Sequence, residues 1–287
     1  MHRKHSQVNT MTLAARIIGF FALLLLIALP VRAATDAEFE RLMELSGTTR
    51  QVEEFQRGVR LGLEQGASQG DGLPAEALKQ MLAGVDEHIR ADVILDEIRF
   101  AVLKRMSRED VSRLLQWYES PLGQRITQAE IAAARPDSME QMMAKADELL
   151  AMEERVAWAQ RLDKLIGGTE MNMAIQQDTG AAVYRALIRT QRPDEPVDLA
   201  PYNEQMAVVQ PRLRDMMENL VILNIVHTYR DFDMETLTRY EAFLNEPLSV
   251  MFNKAVGNGM QTGIARVVDA WIIDIIEDAS GETVVKG

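Results

Sequence analysis

Apolar residues recur along this chain at three- and four-residue spacing, the period of helices with one buried face. Phe39, Leu42 and Met43 form the first stripe, preceded by a Thr35 and Glu38 capping pattern and closed by Gly47. Thr48 and Gln51 repeat the capping signal, Val52, Phe55, Val59 and Leu63 mark the buried side of a second helix, and Gly66 ends it. After a glycine-rich loop, one long helix is predicted over residues 74–106. It begins amphipathic, with Leu78, Met81, Leu82, Val85 and Ile89, and turns apolar all round at Val93, Ile94, Leu95 and Ile98, a pattern that belongs at the centre of a domain. Pro136 breaks the chain, and Ser138 with Gln141 is predicted to cap a helix reaching as far as Ile166. A second all-apolar stretch holds Leu220, Val221, Ile222, Leu223, Ile225 and Val226, and a closing core helix is predicted over 264–276. No stretch alternates with period two for long enough to suggest a sheet, so the expected fold class is all-α.

The pattern also repeats. The run SREDVSRLLQWYESPLGQRI, Ser107 to Ile126, returns as DFDMETLTRYEAFLNEPLSVMF, ending at Phe252. Aligning Pro121 with Pro247 sets Ser107 against Asp233, Arg113 against Arg239, Trp117 against Phe243, Leu122 against Leu248 and Ile126 against Phe252. Each copy reads as a helix capped by Ser107 or Asp233, a short break, and a new helix opening on proline, where the missing N–H has no helical partner to lose. Upstream, Leu42, Leu45 and Gly47 recur 120 residues later as Leu162, Leu165 and Gly167, and by the motif the offset has grown to 126. The extra residues fall in the proline-rich loop 189–203, and loops absorb insertions where helices do not. Two tandem helical units related by an approximate twofold are therefore expected, over residues 34–155 and 156–280, with a frayed tail at 281–287.

The first 33 residues follow another pattern. Arg3, Lys4 and Arg16 precede a thirteen-residue apolar run at 17–29, and Pro30 leads to Val31, Arg32 and Ala33, with the small residues Val31 and Ala33 where a signal peptidase needs them. The run falls short of the roughly 20 residues a stable span requires. The expectation is a cleaved secretory signal peptide over residues 1–33 and a processed periplasmic protein, starting at Ala34, with no stable membrane span. The chain has no cysteine, which excludes a lipoprotein anchor, disulfides and thiolate nucleophiles. Cleavage removes four cations and no acid, taking the formal charge from −12 to −16. Such a chain repels nucleic acid and anionic lipid.

The run from Trp117 through Tyr118, Ser120 and Pro121 to Gly123, behind a capped apolar helix in a chain with an export leader, resembles a bacterial family known only as an exported domain of unknown function. The resemblance implies an all-helical fold and an envelope location, and no activity. It covers about a hundred residues of the first copy. The second copy departs from it, with Glu246 for Ser120 and Ser249 for Gly123. As architecture, Trp117 is expected to pack on the helix around Ile94 and Ile98, Ser120 to cap the helix begun by Pro121, and Gly123 to permit close approach of a neighbouring backbone.

Candidate chemistry is sparse. His88 and His227 survive cleavage, each with an aspartate four residues on, Asp92 and Asp231, so each pair shares a helix face. Local polar pairing explains both, whereas a metal site needs three or four ligands. Asp231, Asp233 and Glu235 read first as acids at a helix N-terminus. Met139, Met142 and Met143 have the spacing of thioether ligands, but methionine is also the usual filler of irregular helical cores, so no metal or cofactor is expected. Trp117 and Tyr118 sit on or beside the stripe of Val111, Leu114 and Leu115 and read as core. Arg113 and Arg239, the polar residue kept in both copies, would anchor an acidic ligand or pair with an acid of the domain. No H-E-x-x-H, S-x-x-K or phosphate-cradling glycine loop is present in the mature chain, and its one G-x-S-x-G string, Gly66 to Gly70, falls in the glycine-rich loop. The leading expectation is a non-catalytic interaction or ligand-binding module of the envelope, taking a partner protein or an apolar ligand in a groove between the repeats. The rival is an envelope hydrolase using His227 with Asp231 or Glu235.

Overall fold

Capping groups and turn glycines set the path of this chain. In the computed structural model, residues 36–69, 75–191 and 196–280 are described; the leader, the Thr35 cap, part of the loop after Gly66 and the tail lie outside them. Among the described residues the chain forms thirteen helices and no strand. In order they are α1 (Asp36–Leu45), α2 (Thr48–Gln69), α3 (Ala75–His88), α4 (Ala91–Leu103), α5 (Arg108–Tyr118), α6 (Pro121–Ala133) and α7 (Pro136–Ala144). They continue with α8 (Ala146–Leu150), α9 (Glu153–Ile166), α10 (Gly168–Gln191), α11 (Ala200–Thr228), α12 (Met234–Leu244) and α13 (Pro247–Ser280). Two glycines take the left-handed conformation that side chains disfavour, Gly47 at φ 75° after α1 and Gly167 at φ 69° after α9, and each turns the chain into the next helix.

Both motif helices start as their sequences imply. Ser107 accepts from the Asp110 amide while the Asp110 carboxylate accepts from the Ser107 amide, a reciprocal capping box; Asp233 accepts from the Thr236 amide at 2.6 Å. Ser120 accepts from the Gly123 amide at 3.1 Å, and Pro121 occupies the first turn of α6. A Cβ on Gly123 would lie 2.3 Å from the Trp117 carbonyl oxygen, so only glycine lets α6 fold back this closely on the end of α5.

Three long helices differ from expectation. The helix predicted over 74–106 is two, α3 and α4, because Arg90 adopts an extended backbone (φ −95°, ψ 123°) and Asp92 opens a new first turn. The bend buries Ile89 completely and lets α3 and α4 both pack on α13. The helix predicted from Ser138 to Ile166 is three, α7 to α9. Ser138 does not cap it; the first turn begins at Pro136, and the Ser138 hydroxyl is buried against His227 instead. The closing helix begins far earlier than residue 264, since α13 runs unbroken for 34 residues from Pro247.

At the centre, α4 crosses α13 at two glycines one helical turn apart. A Cβ on Gly259 would lie 2.4 Å from the Ile98 Cα and one on Gly263 2.7 Å from the Ile94 Cα. Ile94 and Ile98 are thereby sealed, as the all-apolar stretch predicted. A single hydrophobic core runs from Phe39 to Ile272 and draws on both halves of the chain. Among the described residues no helix is long and apolar enough to cross a membrane.

Candidate functional site

Helices α5 and α12 bring their aromatic residues together. Trp117, at the end of α5, stacks face to face on Phe243 of α12, with centroids 3.7 Å apart and planes 5° apart, and lies over Tyr240 at 5.7 Å. Trp117 is half-buried, and this stack joins the two halves where packing on Ile94 and Ile98 was expected. Apolar ring faces from both motif helices meet, and neither helix can cover its own ring alone. Tyr118, one residue on, turns inward and meets Phe243 and Phe252 edge-on.

Behind this stack lies a cavity of about 530 Å³, a volume typical of small-molecule sites. Its wall is mostly apolar and rich in methionine, with Met139, Met171, Met217 and Met260, and among the described residues it carries one charged side chain, Glu130 of α6. Both Tyr229 (2.5 Å) and Tyr240 (2.7 Å) donate to Glu130 Oε1, leaving Oε2 with no hydrogen-bond partner among the described residues. Burial pushes the Glu130 carboxyl above the ordinary carboxylate value, and the two tyrosine hydrogen bonds work against that shift. Burial and the nearby carboxylate push Tyr118, Tyr229 and Tyr240 well above ordinary phenols, so all three stay protonated donors. Arg155 of α9 fixes the turn carrying Tyr229 by donating to the carbonyls of Tyr229, at 2.8 Å, and Phe232. Trp158, fully buried, supports the Tyr229 ring edge-on at 5.3 Å.

The residues singled out from sequence divide between architecture and this site. Tyr118 lines the cavity; Trp117 and Phe243 back it; Ser120, Pro121, Gly123 and Pro247 set the helix starts. Arg113 is exposed, with no ion-pair partner among the described residues, and Arg239 reaches the Thr236 hydroxyl, at 3.4 Å. His227 is 3% exposed and lies outside the cavity lining. Its Nε2 meets Ser138 Oγ at 3.1 Å and Arg230 at 3.2 Å, so it pairs with neither Asp231 nor Glu235. Burial and the Arg230 charge hold it below the ordinary histidine value. Asp231 pairs with Arg230, and Glu235 sits exposed in the first turn of α12. His88 does not pair with Asp92, which binds Arg90; its Nε2 lies 3.2 Å from Asp274 across the α3 and α13 crossing. Glu87, His88 and Asp274 bring one ligand atom each within 4.8 Å of one another, a cluster that closes the end of α13 onto α3 away from the cavity. The three methionines split by burial: Met142 is 1% exposed and accepts from the Asn224 amide at 3.9 Å, whereas Met139 and Met143 are 49% and 55% exposed.

Glu130, Tyr229 and Tyr240 escaped the sequence reading. The available signal was Leu122, Ile126 and Glu130 at steps of four along α6, an acid continuing an apolar stripe.

Residues 103–151, which contain the motif and Glu130, match the family described as an uncharacterized protein conserved in bacteria (DUF2059). No curated protein and no solved structure matches the chain. The chain is thus all-helical and carries a segment similar to an uncharacterised bacterial domain.

Proposed function

We propose that this protein is an exported, non-catalytic binding protein of the bacterial envelope, built from two diverged copies of one helical unit and holding an apolar small ligand between them. One observation carries the reading: positions paired by the sequence repeat line the same cavity. At the 120-residue offset, Ser46 pairs with Ile166, Thr48 with Gly168 and Gln51 with Met171, and all six line it. At the 126-residue offset, Tyr118 with Leu244, Glu130 with Val256 and Ala134 with Met260 do the same. A cavity on an approximate twofold axis has this property, and the face-to-face stack of Trp117 on its aligned partner Phe243 agrees with such an axis. Apart from Ala134 with Met260, the polar member of each pair comes from the first half, so divergence has given the cavity a polar and an apolar side.

The helix series supports the same duplication. α1 and α2 correspond to α9 and α10, the α3 and α4 pair to α11, and α5 and α6 to α12 and α13. The hydrolase reading rests on His227, which is buried outside the cavity, while the cavity lining offers one acid and no histidine. The charged leader and its thirteen-residue apolar run support export and cleavage after Ala33, to be checked by N-terminal sequencing of protein from the soluble envelope fraction.

Titration with the neutral fluorophore N-phenyl-1-naphthylamine tests the cavity. Saturable binding at one site is expected, lost in Met260→Trp, which fills the cavity, and kept in Val208→Trp on an exposed face. Equal binding by all three proteins would place the probe elsewhere and sink the reading.

A further inference from the structure

We propose that the ligand is a cationic amphiphile, an apolar chain ending in an ammonium group that pairs with Glu130. This inference rests on the cavity being a binding site. Among the described residues Glu130 is the one charged residue in the lining, and no lysine or arginine there reaches the cavity to balance it. The guanidinium on the adjoining α9, Arg155, is bound to main-chain carbonyls instead. With no described side chain to balance it, the charge of this acid is left to a proton or to a cation from outside the chain.

The hydrogen bonds favour the second. Two phenols donate to the same oxygen, Oε1, an arrangement that stabilises an ionised acceptor, while Oε2 stays open. Burial opposes ionisation for as long as the cavity holds no counter-charge. An ammonium at Oε2 removes that opposition, and the rings of Tyr118, Tyr229 and Tyr240 in the same wall add the attraction of aromatic faces for cations. The remaining wall, Met171, Leu220, Val221 and Met260 among others, suits a hydrocarbon chain. A fatty acid meets the reverse situation, since its carboxylate would face Glu130 inside a chain of net charge −12.

Calorimetric titration of the purified protein at pH 7.5 with decylammonium, decanol and decanoate decides the matter, because the three share a chain and differ in head group. Decylammonium is expected to bind about tenfold or more tighter than decanol, the gain of a charge-assisted hydrogen bond in a mostly apolar site, with decanoate weakest. In Glu130→Gln, which keeps the shape of the side chain, decylammonium should lose its advantage over decanol. Thermal melting of the variant establishes that it is folded, and Val208→Trp, on an exposed face, should keep the wild-type order of the three probes. Equal binding of the three probes, or an ammonium preference that survives Glu130→Gln, overturns the inference and leaves the cavity reading standing. Failure of all three to bind overturns both.

Discussion

Within the motif, Ser120 and Gly123 act on the same turn by different means. The serine hydroxyl satisfies the Gly123 amide, and the glycine, lacking a Cβ, lets that turn lie against the Trp117 carbonyl. Ser120→Ala should cost about 1 kcal/mol in a denaturant melt, the usual value of an N-cap. Trp117→Ala should cost about 3 kcal/mol through loss of the Phe243 stack. An unchanged melting midpoint for Trp117→Ala would mean that the stack does not hold the halves together. Glu130 has a different energetic signature. Its folded-state pKa is raised, so between the ordinary glutamate value of 4.5 and the raised value the folded protein binds more proton than the unfolded chain. Stability from this group is present below about pH 4.5 and lost as pH rises through that window; the titratable groups facing it, Tyr118, Tyr229 and Tyr240, stay protonated throughout. Glu130→Gln should therefore melt higher than wild type at pH 7 without ligand, with the difference vanishing near pH 4.5, and a variant that melts lower at pH 7 would contradict it. The capping residues were legible because a cap is a local pattern of a few residues. Glu130 was not, because in a chain with 43 acids its place on an apolar stripe did not stand out, and the tyrosines that address it lie about 100 residues away.

Elements were legible by type and less so by length. Apolar periodicity reports which face of a helix is buried and says little about whether the backbone bends, as it does at Arg90 to seat α3 and α4 on one partner. The glycines of α13 explain the opposite error. Glycine lowers helix propensity, and Gly257, Gly259 and Gly263 all lie just before residue 264, where the closing helix is predicted to start. In the fold, tertiary contact overrides that propensity, because Gly259 and Gly263 let α13 lie directly on the backbone of α4 at Ile98 and Ile94. A methyl group at either point meets main chain, which cannot move as a side-chain tip can. Gly259→Ala should cost about 3 kcal/mol despite the better helix propensity of alanine. By contrast Gly58→Ala, with nothing within 4 Å of the added carbon, should stabilise by up to about 1 kcal/mol. Equal effects at the two sites, measured by urea denaturation, would show that the α4 and α13 crossing is looser than described.

At the scale of the whole molecule, the proposed repeat and the packing pull in different directions. The offsets of 120 and 126 residues divide the chain near residue 155, yet α13, from the second half, covers α3 and α4 of the first, and Trp117 is completed by Phe243. A repeat boundary records how a sequence was assembled and carries no information on whether each copy buries its own core, which is why contacts between the halves were the least legible feature of the sequence. The first half alone would expose Ile94, Ile98 and Val102, all but fully buried in the whole chain, together with the Tyr118 wall of the cavity. At about 25 cal/mol per Å² of apolar surface, stranding even a few such side chains forfeits several kcal/mol, comparable to the whole stability of an ordinary domain. Residues 34–155 expressed alone should therefore lack a cooperative thermal transition and bind an apolar dye, whereas mixing them with residues 156–287 should restore a cooperative transition through the α4 and α13 crossing. If the first fragment melted cooperatively by itself, the two halves would be autonomous domains, and the cavity between them would be a contact between independent bodies instead of part of a shared core.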